Sequence, residues 1–206
     1  MKVLMINGSP CKGGNTSIAL NEMVKIFDAE GIESEIVEIG GMDIPGCAAC
    51  YSCLEGDGGC VYGDIVNEIS KRFEEADGLV LATPVYYSSP NGTLIALLDR
   101  LFLSSRFSKS MKVGASLSVA RRAGVISSLE VLDKYFSISS MPIATSDYWN
   151  GVYGRNKGEI LEDKEGLRTL HVLAQNMAFL MKSIALGKKE YGLPEYEKKA
   201  MTNFIR

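Results

Sequence analysis

The chain has 206 residues, 46% of them apolar, enough to bury one sizeable core, so a single domain over residues 1–206 is expected. Its 25 acidic and 22 basic side chains leave a formal charge of -3, which gives no electrostatic reason to expect nucleic acid as a partner. Met1–Ile6 reaches Asn7-Gly8 too soon for a signal peptide core, and no apolar run is long enough to span a bilayer. The expectation is a cytoplasmic protein without a membrane partner, in which thiols stay reduced.

Apolar runs alternate with helix-like stretches, the pattern of a parallel sheet covered on both faces. Lys2–Ile6 reads as a buried first strand, and Thr16–Glu30 as a helix with Ile18, Leu20, Met23, Ile26 and Phe27 on its apolar stripe, stopped by Gly31. Ile32–Ile39 is a second strand, less continuous and so suited to a sheet edge. Gly40–Gly63 changes texture to glycine, cysteine and acid without either period, which marks an ordered, cysteine-rich insertion. Asp64–Ala76 resumes a helix, Gly78–Thr83 is a third strand, Thr93–Leu103 a helix and Met111–Val119 a fourth strand. Val125–Phe136 is a further helix, Pro142–Ser146 a fifth strand, and Lys164–Ala185 a long final helix.

This alternation predicts an α/β doubly wound five-stranded parallel sheet of order 2-1-3-4-5. In such sheets ligands bind beyond the carboxyl ends of the strands at the switch point, which singles out the loops after strands one, three and four. The first loop, Asn7 to Ser17, combines glycines that turn N–H groups inward with hydroxyl and amide donors and a following helix N-terminus, so an anion such as a phosphate fits there. Neither GxGxxG nor a Walker lysine-serine ending is present, which argues against NAD in the usual dinucleotide manner and against ATP.

Gly8-Ser9-Pro10 with Gly14-Asn15-Thr16, then Thr83-Pro84-Val85-Tyr86-Tyr87, then Leu98-Asp99-Arg100 together resemble the NAD(P)H-dependent FMN reductase family, and its iron–sulfur flavoprotein branch in particular. The resemblance implies a flavodoxin-like fold that binds FMN. It implies that Ser9, Pro10, Lys12, Asn15, Thr16 and Ser17 hold the phosphate and that Pro84, Val85, Tyr86 and Tyr87 pack along the flavin ring. A flat tricyclic ring independently wants apolar or aromatic contact at its faces and backbone donors at its polar edge. The third loop supplies Ser118, Ala120 and Arg121. There Arg121 or Arg122 either faces the flavin or a pyridine nucleotide phosphate, or is a solvated surface arginine. Asp99 and Arg100 read as structural, a helix-borne ion pair or cap.

Cys47, Cys50 and Cys53 form a CxxCxxC run, and Cys60 follows after six further residues. Such compact spacing suits one 4Fe-4S cluster held by all four thiolates, with structural zinc as the nearest rival. The resemblance supports the cluster, although family members without one also keep cysteines in this region. Cys11 reads as a small loop residue, and His171 as an ordinary helix histidine. Flavin and cluster together suggest a converter between hydride and single-electron chemistry, fed by NAD(P)H or exchanging with a ferredoxin-type or small-molecule redox partner. The alternatives are a cluster-free flavin, quinone or azo reductase, and a flavodoxin-like electron carrier. No Ser/His/Asp or paired-carboxylate arrangement suggests hydrolysis. The resemblance further implies a homodimer or homotetramer.

Overall fold

In a computed structural model of the chain, the described residues are 1–55, 58–197, 200 and 202. Residues 56–57 of the predicted cysteine-rich insertion, and 198–199, 201 and 203–206 of the predicted domain, lie outside them. The elements in chain order are β1 (Lys2–Asn7), α1 (Asn15–Ala29), β2 (Glu33–Glu38), α2 (Ile65–Glu75), β3 (Gly78–Pro84), α3 (Gly92–Ser104), β4 (Val113–Ala120), α4 (Val125–Ser137), β5 (Gly151–Tyr153) and α5 (Lys164–Tyr191). The five strands pair in parallel in the order β2-β1-β3-β4-β5, as expected for a flavodoxin-like sheet.

Both faces of the central strands are covered, which is why β1 and β3 read as apolar runs and why β4 is buried throughout although Ser116 and Ser118 interrupt its apolar residues. Val3, Met5, Val80, Ala82, Ala115 and Leu117 point toward α1 and α5. Leu4, Ile6, Leu79 and Leu81 point toward α2 and α3, where they meet Phe73, Leu97 and Leu101. The edge strand β2 buries only Val37, consistent with its interrupted pattern. At Gly114 a Cβ would stand 2.5 Å from the Phe136 ring, so this glycine lets α4 lie directly on β4.

The predicted fifth strand, Pro142–Ser146, is corrected. That stretch makes an isolated bridge from Ile143 to Gly114, held by Gly114 N–H to Pro142 O (2.8 Å) and Ala144 N–H to Gly114 O (2.8 Å). The chain then leaves the sheet edge and returns at Gly151–Tyr153, beside Ser118–Ala120. The final helix also runs two turns past its predicted end to Tyr191; its core-facing stripe ends at Ile184, and the exposed Leu186 and Tyr191 beyond it leave no apolar period to mark the last turns. Among the described residues no helix is long and apolar enough to cross a membrane.

Candidate flavin cleft and cysteine hollow

At the carboxyl edge of the sheet, the loops after β1, β3, β4 and β5 enclose an open cleft of about 310 Å³. Its floor is the start of α1. Gly14 precedes that helix with no side-chain cap and no acid occupies the first turn, so the N–H groups of its opening residues face the cleft. Gly14 cannot be replaced cheaply, since a Cβ would lie 2.9 Å from the Cys11 carbonyl oxygen that accepts its own N–H.

The loop leading to α1 is held from below by a polar network. The Asn7 side chain accepts from Ser9 N–H (2.9 Å) and donates to Ser17 Oγ (3.0 Å) and to Glu38 (2.9 Å). Ser17 Oγ also donates to Glu38 (3.1 Å), so Ser17 is committed inside the fold rather than to the cleft. Ser9 and Thr16 line the cleft, whereas Pro10 and Lys12 are exposed outside its lining. Asn15 lines it too, but both ends of its amide are occupied: it donates to Asn156 O (2.9 Å) and accepts from Gly158 N–H (2.8 Å).

Those bonds bring in a loop that the sequence reading left out. Gly154, Arg155 and Lys157, following β5, complete the cleft wall. The Lys157 ammonium stands over the α1 loop, 3.3 Å from where a Gly13 Cβ would be. Arg155 and Asn156 present their N–H groups to Glu159, at 2.6 and 2.8 Å, which holds its carboxyl below the usual carboxylate range and rigidifies the loop.

Across the cleft Pro84, Val85 and Tyr86 form one wall and Val119, Ala120 and Arg121 another. Tyr86 and Ser89 exchange backbone hydrogen bonds at 2.9 and 3.0 Å around Tyr87-Ser88, both with positive φ (50° and 59°), a tight hairpin turn. The N–H groups of Tyr87 and Ser88 have no backbone acceptor among the described residues. The Tyr87 ring is fully exposed and stands outside the cleft lining. Gly124, at φ +89°, lets the loop after β4 reach this turn: a Cβ there would be 2.7 Å from Val85 and 2.8 Å from the Ser88 backbone. Ser118 lies beneath the cleft, buried, its hydroxyl without a hydrogen-bond partner among the described residues.

The second constellation sits between β2 and α2. Cys47, Cys50, Cys53 and Cys60 line one small hollow, closed on its inner side by Arg100, Leu103 and Ser104 of α3. Ala49 and Tyr51 adopt positive φ (50° and 57°), as do Gly58, Gly59 and Gly63, so the segment coils tightly. Cys47 and Cys50 are exposed while Cys53 is buried. Burial pushes the Cys53 thiol up, and its neighbours Cys60, Cys50 and Cys47 add to this. The Ser52 N–H beside Cys50 lowers that thiol. The four cysteines share a hollow, and among the described residues no three Cys, His, Asp or Glu groups are placed to hold a metal ion.

The structural reading of Asp99 and Arg100 as a helix-borne ion pair or cap takes a particular form: Arg100 pairs with the N-cap of α2 and not with Asp99. Its fork is bidentate to Asp64 at 2.7 and 2.8 Å, and Asp64 also caps α2 through Val66 N–H (3.2 Å). Asp99 accepts instead from the Tyr135 hydroxyl at 2.5 Å.

The comparisons agree with this architecture. An iron–sulfur flavoprotein of Methanocaldococcus jannaschii is 33% identical over 192 residues, covering 89% of this chain and 99% of its own. The solved structure of RosB with a bound formylriboflavin phosphate intermediate superposes with a TM-score of 0.68 at 15% identity, covering 100% of this chain and 93% of its own. A flavodoxin from Streptococcus pneumonia TIGR4 superposes with a TM-score of 0.58 at 13% identity, covering 87% and 99%. Residues 1–154 match the family described as NADPH-dependent FMN reductase. The chain therefore belongs to the NADPH-dependent FMN reductase family, and is an FMN-dependent oxidoreductase on a flavodoxin-like fold.

Proposed function

We propose that the cleft holds FMN with its phosphate on the first turn of α1, and that Cys47, Cys50, Cys53 and Cys60 hold one 4Fe-4S cluster. The observation that carries the flavin reading is the uncapped, acid-free start of α1 beneath Lys157, at the switch point of the sheet. Thr16 and Ser9 add hydroxyls to that anion site, while Asn15 holds the Lys157 loop in place. Pro84, Val85 and Tyr86 pack one side of the ring, Ala120 the other, and the N–H groups of the Tyr87-Ser88 turn, without a backbone acceptor among the described residues, answer its polar edge. Arg121 and Arg155 supply positive charge at the rim, suited to an anionic ring or to the phosphate of a nicotinamide donor. Ser17 contributes by bracing the loop through Asn7 and Glu38.

The donor set of the hollow supports the cluster: four thiols, otherwise apolar walls, and an Arg100 N–H directed at Cys60 sulfur. When bound, FMN supplies two-electron hydride chemistry and a 4Fe-4S cluster one-electron transfer. The protein then moves electrons between a reduced donor, NAD(P)H or ferredoxin, and an acceptor. We place it in the cytoplasm as a homodimer or homotetramer; the exposed Tyr148, Trp149 and Tyr153 offer a surface for such an assembly.

Anaerobic purification followed by iron, acid-labile sulfide and flavin analysis tests this reading. Four irons per chain are expected, about one FMN, and loss of iron on Cys→Ser change at any of the four positions but not at Cys11. Zinc in their place, full iron after Cys60→Ser, or released FAD refutes it. Bleaching of the flavin by NADH, NADPH or reduced ferredoxin identifies the donor.

A further inference from the structure

Arg100 is 1% exposed, and a guanidinium so placed is costly unless its donors are answered. Its two terminal nitrogens are taken by Asp64, at 2.7 and 2.8 Å, with Pro45 O sharing one of them at 3.2 Å. The Tyr62 ring lies beneath the guanidinium carbon at 4.6 Å. The third nitrogen, Nε, directs its N–H at Cys60 Sγ at 3.2 Å. A structural ion pair needs only the fork. The bond to sulfur is the surplus, and it is made by a cation whose position is fixed by the residues just before Cys47 and just after Cys60.

We infer that Arg100 is a positioning residue that sets the reduction potential of the cysteine-held cluster through its Nε–H bond to Cys60. The inference rests on the proposed cluster. Adding an electron to a cluster adds negative charge, part of it on the ligating sulfurs. A fixed positive charge and a hydrogen bond at one of those sulfurs favour the reduced state and raise the potential. Lysine keeps the charge but cannot fork to Asp64 while also donating to sulfur, so it restores only part of the effect.

The test is a redox titration of the full, anaerobically prepared chain, following cluster reduction by low-temperature EPR and flavin reduction by visible absorption. Parent, Arg100→Gln and Arg100→Lys are compared, with iron per chain measured for each. At a poise that half-reduces the parent cluster, the Arg100→Gln ratio of reduced to oxidised cluster falls about tenfold, as expected for one charge-assisted hydrogen bond. Arg100→Lys falls between the two. The flavin titration stays in place, because no cleft residue is altered. An iron-replete Arg100→Gln protein that titrates like the parent overturns the inference alone. So does loss of iron from both variants with flavin retained, since that leaves Arg100 a purely structural part. A parent protein without iron overturns the proposed cluster and this inference with it.

Discussion

Gly40 offers a sharp test of how the cleft is built. A Cβ at Gly40 would stand 2.1 Å from the Ser9 carbonyl carbon, 2.3 Å from its oxygen and 2.4 Å from the Gly8 oxygen. Ordinary carbon contacts are about 3.5–4 Å, so in Gly40→Ala the β1 loop must back away by more than about 1 Å. That loop is not free to do so: Gly8 N–H bonds Ala82 O and Ser9 N–H bonds Asn7, each at 2.9 Å. Overpacking costs about 1–3 kcal/mol, and rigid backbone on the receiving side puts this case near about 3 kcal/mol. In a chain of this size that lowers Tm by about 6–12 °C. With the phosphate on this loop, as proposed, displacing Ser9 and the start of α1 breaks at least one charged hydrogen bond to it, and FMN affinity should fall by about tenfold or more. Thermal unfolding of the flavin-free protein and an FMN fluorescence-quenching titration measure the two effects. Gly41→Ala is the control, because nothing lies within 4 Å of its Cβ position; it should stay within about 2 °C of the parent. A Gly40→Ala protein as stable as that control refutes the steric argument, and a destabilised one with unchanged FMN affinity refutes the assignment of the phosphate to this loop.

Three further outcomes are expected. Arg100 holds the Asp64 carboxyl below the usual range; with the folded value below the unfolded value of about 3.9, the stabilisation is complete above about pH 4 and is lost as pH falls through the folded value. Asp64→Asn should therefore flatten the acid limb of stability against pH in urea unfolding, and lower stability at neutral pH by about 3 kcal/mol. Lys157→Ala should weaken FMN binding by about three- to tenfold at low salt, with the difference shrinking as salt rises; a salt-independent difference would contradict a charge role. Asn15→Ala removes the bonds to Asn156 and Gly158 and should cost about 1–2 kcal/mol of stability. In a double-mutant cycle for FMN affinity, Asn15→Ala and Lys157→Ala should couple rather than add, since Asn15 acts through the Lys157 loop.

Most of the sheet was legible because β1, β3 and β4 are buried on both faces and so appear as segments rich in apolar and small residues between helices. The fifth strand was not. Gly151–Tyr153 buries one large apolar side chain, Val152, and three residues are too few for any period to show. Pro142–Ser146 looked the better strand because Ile143 does bridge the sheet and Ala144 is buried, but the pairing stops there. That error carried over to the site. Once strand five is placed at 151–153, the same edge rule that named the other loops also names 154–158, and with it Arg155 and Lys157. The commitments of Asn15 and Ser17 could not be read at all, because their partners, Asn156, Gly158 and Glu38, lie far along the chain.

The motifs also looked separate in sequence, one set belonging to the flavin and another to the cysteines, yet α3 serves both. Its first turn is capped by Asn91, which accepts from Thr93 and Leu94 N–H at 2.8 and 3.3 Å while its own N–H bonds Thr83 Oγ1 at 2.8 Å, directly behind the Pro84–Ser89 turn. Its later turns carry Arg100, Leu103 and Ser104 into the cysteine hollow. At 1.5 Å per residue, Asn91 and Arg100 are on the order of 14 Å apart along one rigid rod. Leu94, Leu97, Leu98 and Leu101, between and beside them, are buried against β1 and β3, so the rod cannot slide without breaking the core. The spacing between the Pro84–Ser89 wall of the cleft and the cysteine hollow is thus fixed by a buried helix of the core. The Thr83-Pro84-Val85-Tyr86-Tyr87 and Leu98-Asp99-Arg100 motifs are two ends of one structural unit.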